Sequence, residues 1–289
     1  MEDASTNQLL PKNGIFFGGC AWGCAYYIGT IRAAREKWVN GADQIQTHIP
    51  VGGSSAGAMM ALGVALDRTE SEMYQLYHEL MTQARQHGVV GRMSHYHQAV
   101  LDRWLPLGGS EYVHLMQSGR LHIGITQFPA TPMLVGTWSS NQHMHEILHA
   151  SFHIPVYCEH DVIEHAMDGA IVQSFWKLPS VQTTWTVSPI ELVADICPIS
   201  PIPPMQIIWP MTEPDISSNI ELGYRDFMRL CDVVVPKGHR QCRGSKNSIY
   251  TMFRYLALIV LWTLFYGRRY GKRLIAIYIR VAEVVKKLV

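Results

Sequence analysis

Cysteine is sparse and unpatterned in this chain, with six residues at positions 20, 24, 158, 197, 231 and 242 and no C-x-x-C pair. That scatter excludes a disulfide-dense secreted scaffold and predicts reduced thiols in a cytosol-facing protein. The opening residues, Met1-Glu2-Asp3-Ala4-Ser5-Thr6-Asn7-Gln8, lack the basic and apolar blocks of a signal peptide, so secretion is not expected. Internal repeats and low-complexity tracts are also missing. Charge is thin, at 16% of residues against 48% apolar. A chain of 289 residues with that make-up is not disordered. It buries one substantial core, expected as a single α/β domain with an appendage.

The near-neutral total of +1 hides an asymmetry. From Lys237 onward there are twelve Lys or Arg against one acid, Glu283, about +11, whereas residues 1–236 carry about −10. Within this basic tail, Tyr255 to Tyr266 is apolar apart from Thr263. A second apolar run, Leu274 to Val285, is broken by Arg280 and Glu283 and closes on Lys286-Lys287. Neither run reaches the roughly 20 residues that a helix needs to cross the hydrocarbon core, although extension back to Ile249 with Arg254 snorkelling comes near. Interfacial insertion fits better, with Trp262, Tyr266 and Tyr270 at headgroup level beside Arg and Lys. A spanning helix and a core or oligomer-interface helix are the alternatives. The expectation is that residues 249–289 dock on a membrane or lipid-droplet surface. An uninterrupted apolar run argues against an RNA- or DNA-binding arm, so no nucleic-acid partner is expected.

What is present, and most telling, is Gly53-Ser54-Ser55-Ala56-Gly57. This G-x-S-x-G follows the extended run Thr47 to Val51 and opens the helix-forming run Ala58 to Leu62. A serine on a sharp strand-to-helix turn adopts a strained backbone, and glycines two residues to either side let neighbouring chain pass without a Cβ clash. The helix behind it directs free N–H groups at the reacting centre, where the oxyanion of acyl transfer forms. Upstream, Phe16-Phe17-Gly18-Gly19-Cys20-Ala21-Trp22-Gly23 ends a strand and leads into a helix from Tyr26 to Trp38. Such a loop can turn consecutive N–H groups toward an anion. Downstream, Met167-Asp168-Gly169-Ala170 offers an acid that can act as base to a serine.

These three motifs, in this order, resemble the patatin-like phospholipases, acyl hydrolases with a Ser–Asp dyad. Tyr26-Tyr27-Ile28-Gly29 and Ser151-Phe152-His153-Ile154-Pro155-Val156-Tyr157 look like family flanking segments, and the likeness covers about residues 14 to 180. The aromatic-rich first loop looks most like the adiponutrin branch. The resemblance implies a three-layer α/β/α fold with a central, mostly parallel sheet. It also implies glycerolipid or phospholipid substrates and no cofactor. Catalytic roles carry over to Ser55 and Asp168, and oxyanion-hole roles to Gly18, Gly19, Cys20 and Ala21. Gly23, Gly53, Gly57 and Gly169 are its motif glycines. The family's first loop usually reads G-G-G-x-x-G with a basic fifth residue. Here Cys20 or Ala21 occupies a glycine position, which is costly if φ must be positive there. A silent scaffold of the same fold and a lipid acyltransferase are therefore the competing readings.

Of the fourteen histidines, several follow Ser55, so a conventional triad in the chain order Ser…Asp…His is arithmetically available, but no single His stands out. His165 lies three residues before Asp168, where it orients the acid or merely occupies a loop. His145-Glu146-Ile147-Leu148-His149 matches H-E-x-x-H, yet a zincin needs a third ligand and an open cleft, so helix histidines without metal are expected.

The expected organisation is a polar segment 1–13, a catalytic domain 14–236 and the tail 237–289. Prolines crowd residues 179–215, which predicts short extended pieces joined by turns, with Asp195 and Asp215 as turn residues. Apolar spacing predicts a helix over Arg68–Gln86, packing Met73, Leu76, Tyr77, Leu80 and Met81 inward, and another over Ser217–Leu230. Leu121–Thr126 and Met133–Trp138 read as two strands of the sheet that holds the strand before Ser55.

Overall fold

A computed structural model describes residues 13–38, 49–127, 131–154, 157–158, 166–191, 193–200 and 202–232. The basic tail and His165 lie outside these residues, as do the expectations placed on them. Among the described residues no helix is long and apolar enough to cross a membrane.

A mixed sheet organises the fold. Within it β1 (Asn13–Phe17) runs parallel to β2 (Val51–Ser54) on one side and to β6 (Thr183–Val187) on the other. β2 runs parallel to β3 (Leu121–Gln127), and β3 pairs antiparallel with both β4 (Thr131–Val135) and β5 (Ala166–Asp168). The expected pairing of the Leu121 and Met133 strands is thus found, next to the strand before Ser55. Both faces of β1 are buried, which is why it reads as an unbroken apolar run rather than an alternation. Ile15 and Phe17 enter the main core with the helices, while Phe16 faces the other way onto Trp176, their ring centroids 5.4 Å apart.

Helices surround the sheet. α1 (Ala25–Lys37) crosses α8 (Glu213–Asp232) in backbone contact, since a methyl group on Gly29 would lie 1.8 Å from the Ile220 carbonyl. The Tyr26 hydroxyl donates to Asp226 at 2.9 Å across the same contact. α2 (Ala56–Ala65) leaves β2 directly. α3 (Glu70–His87) starts on a capping box, with the Glu72 amide donating to the Thr69 hydroxyl and the Thr69 amide to the Glu72 carboxylate. Its expected inward residues, Met73 to Met81, are buried. α4 (Met93–Trp104), α5 (Glu111–Ser118) and α6 (Asn141–Phe152) follow, flanking β3 and β4 in the chain.

Among its described residues the proline-rich stretch gives β6, the single turn α7 (Pro204–Ile208) and the first turn of α8. Asp195 accepts from the Thr186 amide and hydroxyl, and Asp215 accepts from the Thr212 hydroxyl, so both serve local structure. α8 begins four residues earlier than the sequence suggests, because Pro214 falls in its first turn, where a missing N–H costs nothing. Cys20, Cys24 and Cys158 are free thiols, whereas Cys197 is disulfide-bonded and departs from the expectation of six reduced cysteines.

Candidate active site

Ser55 sits at the junction of β2 and α2 with φ 54° and ψ −136°, a conformation that costs a non-glycine residue about 1–3 kcal/mol. The surrounding glycines make that turn possible. A Cβ on Gly53 would lie 2.2 Å from the Gly57 carbonyl oxygen, and one on Gly57 would lie 2.2 Å from that of Phe17. The Ser55 amide donates to the Ser151 hydroxyl at 3.0 Å, and that hydroxyl donates to the Gly124 carbonyl at 2.8 Å. The turn is therefore tied to α6 and to β3.

β3 brings the acid to the same place. One edge of β3 carries β4 from Ile123 to Gln127, so β2 and β5 share the opposite edge, end to end. Ser54 stands opposite Gly124, and Asp168 stands opposite Ile125, the very next residue. Asp168 is buried, and one carboxylate oxygen accepts the Ala170 amide at 2.8 Å, which orients the group. Gly169 lies flush on β3, where a Cβ would be 2.1 Å from the Gly124 carbonyl.

The first loop closes the group. A Cβ on Gly19 would lie 2.6 Å from the Ala170 Cβ, 3.2 Å from the Ser55 Cβ and 3.8 Å from the Ser55 hydroxyl. Gly19 thus lies between the serine turn and the segment after Asp168. Its neighbours differ in what they offer. The Gly18 amide is spent on the Val187 carbonyl at 2.9 Å, so Gly18 ends the strand and does not supply a donor. Among the described residues, no partner takes the amides of Gly19, Cys20 or Ala21. Gly23 turns the chain back, its amide donating to the Cys20 carbonyl at 2.8 Å. Ala21 has φ 45°, so the residue standing in place of a loop glycine does adopt the left-handed region. Burial pushes the Cys20 thiol well up, with Cys24 beside it and the charge of Asp168 adding to the effect, so Cys20 stays protonated at neutral pH.

Ser55 also opens onto an apolar pocket walled by the first loop, α2, α3, α4 and the end of α6. Leu80, Met93, Phe152 and Ile154 supply much of the wall. Sequence reasoning missed this pocket and its α4 residue His97, because the wall is drawn from five separate stretches. The H-E-x-x-H match does not assemble a metal centre. His145 Nε2 bonds to the Leu105 carbonyl at 2.6 Å and His149 Nε2 to Gln98 at 2.9 Å, and no group of three metal-ligating side chains occurs among the described residues.

Residues 15–175, more than half of the chain, match the family model for patatin-like phospholipases. The chain belongs to the patatin-like phospholipase family. No curated protein matches it in sequence. Among solved structures it is similar to VipD from Legionella pneumophila, at 11% identity and a TM-score of 0.50, covering 77% of this chain and 67% of VipD. The type III effector protein ExoU also matches, at 12% identity and a TM-score of 0.40, covering 96% of this chain and 63% of ExoU. The likeness to VipD bears on fold alone. For a patatin-like phospholipase the convergence of the first loop, the serine turn and the Asp-Gly-Ala segment is the arrangement that the motifs imply.

Proposed function

We propose that this protein is a serine acyl hydrolase that cleaves ester bonds of glycerolipids through a Ser55–Asp168 dyad. The observation that carries the reading is the strained Ser55 turn at the mouth of an apolar pocket, one register step along β3 from a buried aspartate. Asp168 takes the Ser55 proton as the hydroxyl attacks the ester carbonyl, and the amides of Gly19 and Cys20 stabilise the tetrahedral oxyanion. Collapse expels the alcohol, which receives the proton, and leaves an acyl-serine. Asp168 then activates water to release the fatty acid. A carboxylate offers about four lone-pair sites, and the Ala170 amide takes one of them. Within the family we assign the chain to the adiponutrin-type branch, on its aromatic first loop.

We place the protein at a cytosol-facing membrane or lipid-droplet surface, with residues 249–289 as the anchor. A second apolar feature supports a lipid partner. Residues 196–212 carry no charged side chain, and Ile208 and Trp209 there are 45% and 46% exposed. They adjoin the pocket, since the Tyr157 hydroxyl on its wall donates to the Ile208 carbonyl at 3.2 Å.

Fluorophosphonate labelling, followed by hydrolysis of a lipid panel, tests the dyad. Wild type is expected to be labelled and active, Ser55→Ala unlabelled, and Asp168→Asn reduced by at least about 10²-fold. Equal rates for wild type and Asp168→Asn exclude the dyad, and labelling without any hydrolysis favours the acyltransferase.

A further inference from the structure

The pocket beside Ser55 is apolar in all but a few groups, and nearly all of those are already engaged. The Tyr77 hydroxyl donates to the Trp22 carbonyl at 2.6 Å, that of Tyr96 to the Gly88 carbonyl at 2.6 Å, and that of Tyr157 to Ile208. The Cys24 thiol is directed at the Ala21 carbonyl at 3.5 Å. His97 is one exception. It lines the pocket at 6% exposure, packs one face on Phe152 with ring centroids 4.5 Å apart, and has no hydrogen-bond partner among the described residues. In the same wall, the buried Trp22 indole N–H also lacks a partner.

An unsubstituted hydrocarbon chain is a poor match for such a wall. Filling the pocket with methylenes drives water out and leaves the imidazole buried and unpaired, a cost that falls on any substrate without a polar atom there. Sites with buried polar groups discriminate strongly against ligands that leave those groups unmet. Burial, with His149 and His153 beside it, holds His97 down at about 3, so the ring is neutral and presents one donor and one acceptor nitrogen. A hydroxyl group can meet either nitrogen, and a keto oxygen can meet the N–H.

We propose that the acyl pocket selects oxygenated acyl chains, those with a hydroxyl or keto group part-way along, and that His97 receives that oxygen. This rests on the acyl-hydrolase reading of Ser55 and names the substrate class of the same site. His97 is a specificity residue and takes no part in bond cleavage.

Binding and turnover separate the two claims. Ser55→Ala protein, which cannot turn over, is titrated by calorimetry with stearate and with hydroxystearates substituted at successive positions. At least one hydroxystearate is expected to bind about tenfold more tightly than stearate, the equivalent of one net hydrogen bond of about 1.4 kcal/mol. Adding His97→Phe should bring the ratio to about 1, and His97→Gln, which keeps a donor and an acceptor, should restore part of it. Should Phe fail to fold, as its melting curve will show, the Gln and Leu variants carry the comparison. Equal binding of all chains by Ser55→Ala overturns the inference, as does a preference that survives His97→Phe or His97→Leu. Wild-type hydrolysis of p-nitrophenyl stearate and its hydroxy analogues is read in parallel. Selective binding without any hydrolysis leaves the pocket assignment standing and removes the hydrolase reading, whereas hydrolysis without selectivity does the reverse.

Discussion

The Ser55 amide and the Ser151 hydroxyl form a 3.0 Å hydrogen bond that ties the serine turn to the end of α6. Both residues are buried, so removing the hydroxyl leaves an amide without a partner. Ser151→Ala is expected to cost about 1–3 kcal/mol in urea denaturation. It should also slow fluorophosphonate labelling of Ser55, because the strained turn loses its brace. Unchanged stability and labelling would show that the bond is incidental.

Ala21 occupies a left-handed conformation at φ 45° in the first loop. An alanine there costs about 1–2 kcal/mol, while glycine adds about 0.5–1 kcal/mol of unfolded-state entropy. Ala21→Gly is therefore expected to be neutral or stabilising by up to about 1 kcal/mol, and Ala21→Val to destabilise by more than about 1 kcal/mol. Thermal melts of the pair check the sign; a destabilised glycine variant contradicts it.

His97 makes stability depend on pH. Its folded value of about 3 lies below the ordinary 6.5, so between those values the unfolded chain binds the extra proton. The stability associated with the neutral ring is intact above about pH 6.5 and is lost as pH falls, at up to about 1.4 kcal/mol per unit. Between pH 7 and pH 5 wild type should lose about 2 kcal/mol more than His97→Gln in urea denaturation. Parallel losses would show that the ring is not held neutral.

Trp209 is half exposed next to Ile208, on a segment without charge. Trp209→Ser should leave hydrolysis of a soluble short-chain ester unchanged. On phospholipid vesicles it should lower turnover about tenfold, because less apolar surface enters the lipid. A uniform drop on both substrates would assign Trp209 to folding instead.

Much of the site was legible because its demands are local. Gly53 and Gly57 announce close backbone approach around a serine, and the structure has each pressed against a carbonyl. Apolar runs located β1 and β3, and the period of Met73, Leu76 and Leu80 located α3. Asp168 carries no local signal of comparable force; it was reached through the family likeness, and only the register of β5 on β3 sets it near the serine turn. The engagement of the Gly18 amide by β6 was hidden, since Val187 lies in a proline-rich stretch that reads as irregular. His97 was hidden by numbers, being one of fourteen histidines whose difference is purely environmental. Gly29 and Gly223 show how a helix crossing can leave a sequence trace that periodicity overlooks, as both exist to admit a neighbouring carbonyl.

The two halves of the proposed dyad are mounted on supports of unequal strength. Ser55 hangs from β2, flanked by β1 and β3 within the sheet, whereas Asp168 is delivered by β5, three residues long, paired among the described residues to β3 and held besides by its amide's bond to the His153 carbonyl at 3.1 Å. Local opening needs far less energy at a short marginal strip than at an interior strand. Detaching that strip would part the carboxylate from the serine turn while the turn stays built, a disarmed form of the proposed enzyme reachable without global unfolding.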